Sequence, residues 1–173
     1  MTRLETERLI IRELMESDAE FILQLLNEPS FIYYIGDKGV RTLEDARQYI
    51  LNGPVASYEK NGFGLYLVTL KDGSTPIGMC GLIKRDELSD PDIGFAFLPD
   101  YWSKGFGFEA ASSVLKHGAE NLQLKRILAI TSPDNEASGK LLTRIGLKYE
   151  RMYSMSDDQP EVKLFVIDFG DSA

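Results

Sequence analysis

Between Trp102 and Ala110 the chain reads WSKGFGFEA, and its chemistry starts from two glycines one residue apart, Gly105 and Gly107. Glycine reaches backbone angles and close approaches that a Cβ obstructs. Successive amides in such a turn can point inward as a nest for an anion, and a helix N-terminus behind them adds a favourable dipole. Lys104 can supply a positive charge. The implied chemistry is the cradling of a phosphate or pyrophosphate. The segment is not a dinucleotide fingerprint, because Ala110 stands where G-x-G-x-x-G needs its third glycine. Nor is it a Walker loop, since no G-K-[ST] ending follows. The plainer alternative is a strand-to-helix connection whose glycines only permit the turn.

The elements around this segment must hold it in place. Residues 93–98 (IGFAFL) alternate as a strand, with Ile93, Phe95 and Phe97 on one face and Pro99 at its end. A helix is expected over 106–121, its inner face drawn from Ala111, Val114, Leu115 and Gly118. Upstream, 7–12 reads as a strand and 18–27 as a helix stopped by Pro29. Residues 30–41 have no clean period and read as a loop with a short turn. Thr42 with Asp45 three residues later opens a second helix that Gly53-Pro54 should break or kink. Strands at 65–70 and 77–84 flank the turn signal Asp72-Gly73. Strand 126–131, helix 135–145 and strands 147–153 and 162–169 close the chain. This order predicts one α/β (α+β) domain over residues 1–173, a mixed and largely antiparallel sheet with helices on both faces.

Composition narrows the class. Nineteen Lys and Arg against twenty-seven Asp and Glu leave a formal charge of −8, which argues against nucleic-acid binding and suits a cationic partner. A single cysteine, Cys80, excludes an intramolecular disulfide, and a single histidine, His117, excludes a paired-histidine zinc motif. No metal site is expected. The opening MTRLETERL is charged where a signal peptide is apolar, and no run approaches the ~18 apolar residues of a membrane span. A cytoplasmic protein, monomeric or homodimeric, without a membrane association is expected.

The segment DIGFAFLPDYWSKGFGFEA, followed by PDNEASGKLLTRIGLKYE, resembles the GNAT superfamily of acetyl-CoA-dependent N-acetyltransferases. With the opening LETERLIIREL, the chain looks most like the branch of ribosomal-protein N-terminal acetyltransferases, the RimJ and RimL type. The resemblance runs from about Leu4 to Phe169. It implies that acetyl-CoA is the acetyl donor and that its pyrophosphate lies in a Q/R-x-x-G-x-G/A loop, here Ser103, Lys104, Gly105, Phe106, Gly107 and Phe108. The usual Gln or Arg corresponds most nearly to Trp102 or Ser103, a departure from the pattern. The same resemblance implies that Phe95, Ala96, Phe97 and Leu98 splay from strand 126–131 and bind the pantetheine arm through backbone groups. A β-bulge often accompanies such splaying. Asn135 matches the asparagine that bonds this arm, and Ser138 shares its helical face.

Acetyl transfer to an amine needs a deprotonated nucleophile, a polarised thioester carbonyl and a proton for the leaving thiolate. The tyrosine that many relatives carry seven residues after the motif asparagine is Leu142 here. The resemblance to the ribosomal-type branch implies that Ser138 is the hydroxyl near the thiol and stabilises the thiolate, its alternative being a helix serine bonded to its own backbone. An amide near Phe97 or Leu98 would polarise the carbonyl. Asp92 lies just ahead of the strand, where the resemblance implies an acidic residue that reaches the amine through water; it is the candidate base, against the reading of Asp90-Pro91-Asp92 as a solvated turn. Tyr33 and Tyr34 lie where related enzymes shape the acceptor site, although one of them suits core packing. The acidic loop 156–161 reads as a solvated turn that would also attract a cation. His117 reads as structural and Cys80 as a small buried hydrophobe.

The expected reaction is direct transfer to a primary amine, foremost a protein or peptide N-terminal α-amine. The alternatives are a small amine (polyamine, amino acid, aminosugar or antibiotic) and a non-catalytic acyl-CoA-binding sensor module.

Overall fold

A computed structural model describes residues 1–170 of the chain. Its sheet is built around strands that are apolar on both faces. In β3 (Leu65–Leu70), Tyr66 and Val68 are buried on one side and Leu67 on the other. β4 (Pro76–Ile83) repeats the pattern with Cys80 and Leu82 opposite Met79. With side chains alternating between faces, such strands require a layer of helices on each side.

Eight strands form one sheet in the order β1-β2-β3-β4-β5-β6-β8-β7. The others are β1 (Arg3–Glu5), β2 (Leu9–Glu13), β5 (Asp92–Phe97), β6 (Arg126–Thr131), β7 (Lys148–Tyr153) and β8 (Val162–Asp168). Every neighbouring pair is antiparallel except β5 and β6. One face is covered by α5 (Phe106–Glu120) and α6 (Glu136–Arg144) through Ala110, Ala111, Val114, Leu115 and Leu142. Small residues let α5 lie close: a Cβ on Gly118 would stand 2.8 Å from Ile127 Cδ1. The other face is covered by α1 (Ala19–Leu26), α2 (Pro29–Tyr34) and α3 (Leu43–Ile50), through Ile22, Leu25, Leu26, Phe31, Ala46 and Ile50.

The expected mixed, largely antiparallel sheet flanked by helices is present, and three elements differ from expectation. Residues 29–34 form α2 rather than a loop. Pro29 ends one helix and, at the first helical positions of the next, supplies the φ that helix needs. At Gly53-Pro54 the helix does not stop. It widens into a π-turn, Leu51–Val55, and continues as α4 (Ala56–Asn61) until Gly62 at φ +81°. The wider turn accommodates the proline, which lacks an N–H to donate. β1 was not foreseen because Arg3 and Glu5 hide an edge strand behind charge. The capping box of α3 is formed as expected, Thr42 Oγ1 accepting from the Asp45 amide at 3.0 Å.

Candidate active site

The site begins where two strands part. β5 pairs with β4 without interruption from Gly78↔Phe97 to Ile83↔Asp92, so the expected bulge in β5 is not there. The Leu98 amide extends this ladder, donating to Ile77 O at 2.9 Å. Antiparallel bonds come at alternate residues. Ala96 therefore shares its backbone groups with β4, whereas those of Phe95 and Phe97 face β6. On that side β5 and β6 run parallel and pair only at Asp92↔Leu128, with Leu128 N donating to Pro91 O at 2.9 Å. Beyond this point the strands diverge. The splay is as expected, and the backbone amides that face it are those of Phe95 and Phe97. Ala96 and Leu98 are corrected as backbone donors, because their amides are used within the ladder.

Past β5 the chain makes a 3-10 turn, Pro99–Tyr101, and then the glycine loop. Trp102 returns over the strand end, its indole Nε1 donating to Phe97 O at 2.9 Å. Ser103 at φ +61° and Gly105 at φ +84° carry the chain through two left-handed positions. Gly105 is the N-cap of α5 and has no side chain to cap it. The first amides of a helix have no partner inside it, so those of Phe106, Gly107 and Phe108 are available to an anion. The residues present thus fit a phosphate-bearing ligand, even without the motif's Gln or Arg at Trp102 or Ser103. Lys104 Nζ lies 5.9 Å from the Tyr101 ring, and the Arg144 guanidinium lies 4.6 Å over Phe108 on the first turn of α5. Arg144 was missed by sequence reasoning. Arg8 was missed too; its side chain reaches the loop from the start of β2.

The loop after β6 forms the opposite lip. Asn135 is the N-cap of α6, and its Oδ1 accepts from the Ser138 amide at 3.2 Å. Ser138 is half-buried, and among the described residues its hydroxyl makes no hydrogen bond to its own helix. It remains available to a ligand. Leu142, where an acid would stand, is 1% exposed within the core. Tyr33 of α2 is 68% exposed and donates to Asp134 Oδ2 at 2.6 Å, tying α2 to this lip. That bond to a carboxylate raises the Tyr33 pKa. Tyr34 meets the Tyr33 ring edge-on at 4.8 Å and is half-buried.

Asp92 lies at the apex, on the face opposite α5, and it is not a solvated turn residue: it is 1% exposed. Arg85 Nε donates to its Oδ1 at 3.0 Å. Burial pushes the carboxyl up to about 6, against the opposing charge and hydrogen bond of Arg85. The charge of Arg85 also reaches Lys38, between α2 and α3, and Tyr49 of α3.

The remaining candidates lie elsewhere. His117 is buried edge-on to Tyr66, paired with Asn121 at 2.8 Å and held below the ordinary imidazole pKa by burial. Cys80 is fully buried, and burial raises its thiol pKa. Loop 156–161 is exposed throughout. Among the described residues, no group of three or more His, Cys, Asp and Glu is placed to hold a metal, and no helix is long and apolar enough to cross a membrane.

A family model described as an acetyltransferase (GNAT) domain matches residues 8–148. The chain belongs to the GNAT acetyltransferase family. It is 32% identical over 162 residues to the uncharacterized N-acetyltransferase YoaA of Bacillus subtilis (strain 168), covering 91% of this chain and 90% of that protein. A GNAT-family acetyltransferase structure from Bacillus anthracis is 27% identical at a TM-score of 0.78, covering 96% and 98% of the two chains. RimL, a ribosomal L7/L12 alpha-N-protein acetyltransferase solved with coenzyme A, superposes at a TM-score of 0.83 with 15% identity, covering 96% and 98%. At that identity the likeness is one of fold. The GNAT chain is thus an acyltransferase with N-acetyltransferase activity.

Proposed function

We propose that this GNAT domain, residues 1–173, moves the acetyl group of acetyl-CoA directly onto the N-terminal α-amine of a protein or peptide in the cytoplasm, as a RimJ/RimL-like enzyme. The observation that carries the donor half is the parting of β5 from β6 beyond Asp92↔Leu128, which leaves the Phe95 and Phe97 amides facing the gap. The loop 103–108 and the α5 N-terminus would hold the pyrophosphate, and Asn135 the pantetheine arm. Acetyl-CoA supplies an activated thioester. The chain's own groups do the rest. Asp92 takes a proton from the amine through water as nitrogen bonds to the carbonyl carbon. The Phe97 amide polarises the carbonyl oxygen, and the Ser138 hydroxyl stabilises the thiolate as the C–S bond breaks. Alignment in such a slot can lower a barrier by roughly 7–11 kcal/mol, so no strong acid is required at Leu142.

Ser138→Ala is expected to lower kcat by about 10²-fold at most, with little change in the KM for acetyl-CoA. Steady-state kinetics check this, and wild-type turnover would make the serine structural.

The acceptor half rests on α2 beside the lip. Ile32, Tyr33 and Ile35 are exposed there, an apolar edge suited to a peptide rather than to a small polar amine. The net charge of −8 suits a basic acceptor. The bond from Tyr33 to Asp134 narrows the mouth and favours a second reading, a small-molecule amine. A thiol-release assay with acetyl-CoA against basic peptides and small amines separates them. Turnover on peptides with a free α-amine, lost on N-terminal blocking, is the expected result. Turnover on small amines alone would sink the peptide reading, and saturable CoA binding without acetylation of any acceptor would point to a sensor module.

A further inference from the structure

We propose that Arg8 is a positioning residue for the acyl donor: with Glu109 it clamps the 103–108 loop in its anion-binding shape. The proposal rests on reading that loop as the pyrophosphate site. Arg8 precedes β2, nearly a hundred residues from the loop in sequence, yet it touches two of the loop's residues, Lys104 and Phe106, and Glu109 just beyond it. Its Nε donates to Glu109 Oε1 at 2.8 Å and its backbone amide to Glu109 Oε2 at 2.9 Å. The Thr6 hydroxyl also donates to Glu109 Oε2. A terminal nitrogen of the guanidinium donates to Lys104 O at 3.0 Å, and the guanidinium carbon lies 4.2 Å over the Phe106 ring. Gly105 lies between these contacts; a Cβ there would stand 3.2 Å from the other terminal nitrogen.

The bond to Lys104 O sets the direction of an amide. In a trans peptide the C=O of one residue and the N–H of the next point in opposite directions. With the Lys104 carbonyl turned to Arg8, the Gly105 N–H points away from it, onto the side that the clamp leaves open. Glu109 fixes the other end of the segment, on the first turn of α5. Its carboxylate is held below its ordinary pKa: burial raises it, but the bonds from Thr6 and Arg8 outweigh that. Arg8 and Glu109 neutralise one another, so the clamp supplies shape with no net charge. Loss of Arg8 alone leaves a bare carboxylate beside an anion site.

The test compares Arg8→Met, Arg8→Lys, Glu109→Gln and the Arg8→Met/Glu109→Gln double variant by CoA calorimetry, steady-state kinetics and thermal melting. Arg8→Met is expected to raise the CoA Kd and the acetyl-CoA KM by about tenfold or more, leaving the acceptor KM unchanged. Arg8→Lys should fall between, since an ammonium keeps the charge but cannot bridge Glu109 and Lys104 O together. The double variant should recover part of the loss, a non-additivity expected of coupled partners. Arg8→Met or Arg8→Lys folding normally and binding CoA as wild type does would overturn the clamp. If wild type itself shows no saturable CoA binding, the reading of the loop fails first.

Discussion

Asp92→Asn is expected to lower kcat/KM for acetyl transfer by about 10²–10⁴-fold, the range of a lost general base, while making the protein more stable at neutral pH. The two effects share one cause. A carboxyl that is 1% exposed resists ionisation, and burial moves it from 3.8 to about 6 despite Arg85. A base with that pKa is mostly ionised at neutral pH, yet still takes a proton from an amine through water. The acid limb of the pH–rate profile should therefore rise through about pH 6 and vanish in Asp92→Asn. For stability the sign follows from a folded pKa raised above the unfolded one. The stabilising contribution is complete below the ordinary carboxylate range and is lost as pH climbs through about 6. At about 1.36 kcal/mol per unit, the loss is on the order of 3 kcal/mol. Asp92→Asn should abolish that slope, leaving a half-exposed Arg85 that water can solvate. Denaturant melts at pH 4 and pH 8 measure it. Unchanged kcat/KM with an altered stability slope would reduce Asp92 to the structural partner of Arg85.

Gly107→Val should eliminate saturable CoA binding in calorimetry. From the sequence alone the fold is expected to survive this change untouched, since a loop glycine has only its ligand to crowd. The structure changes that expectation: Gly107 lies in the first turn of α5, where a Cβ would stand 3.1 Å from Leu141 Cδ2 of α6 and 3.7 Å from the Phe97 ring. The valine methyls enter the space between the first turn of α5, Leu141 of α6 and the Phe97 ring. Leu141 can yield, so overpacking costs about 1–3 kcal/mol and a few degrees of Tm. Binding is lost because the first-turn amides are covered. Wild-type affinity in the folded variant would remove the anion cradle from the mechanism.

Elements with a strong period were legible. β3 and β6 fall at the residues expected, because apolar alternation and flanking turn residues define a strand locally. α5 was legible from its apolar spacing, and the Thr42–Asp45 box marked the start of α3. α2 was not, because Pro29 carries opposite meanings for the helix behind it and the helix ahead. At the site, the spacing of Gly105 and Gly107 suggested an anion cradle, and the family resemblance implied the roles of Asn135 and Ser138 on the opposite lip. Which residues of 95–98 present free amides was illegible, since hydrogen-bond parity depends on the register against β4.

The sequence by itself determined the reaction class, through two motifs in order whose resemblance to the acetyltransferase family implies it; a single cysteine and a single histidine suit a direct transfer that requires neither. Only the tertiary structure decided how that chemistry is tuned. Burial at the strand junction pushed the Asp92 carboxyl up to about 6, at a position the sequence alone also allowed to be a solvated turn. Long-range contact brought Arg8 to the glycine loop. Residue types and local spacing are written along the chain. Desolvation and the facing of amides arise only when distant segments pack, and those are what set a pKa and aim a hydrogen bond.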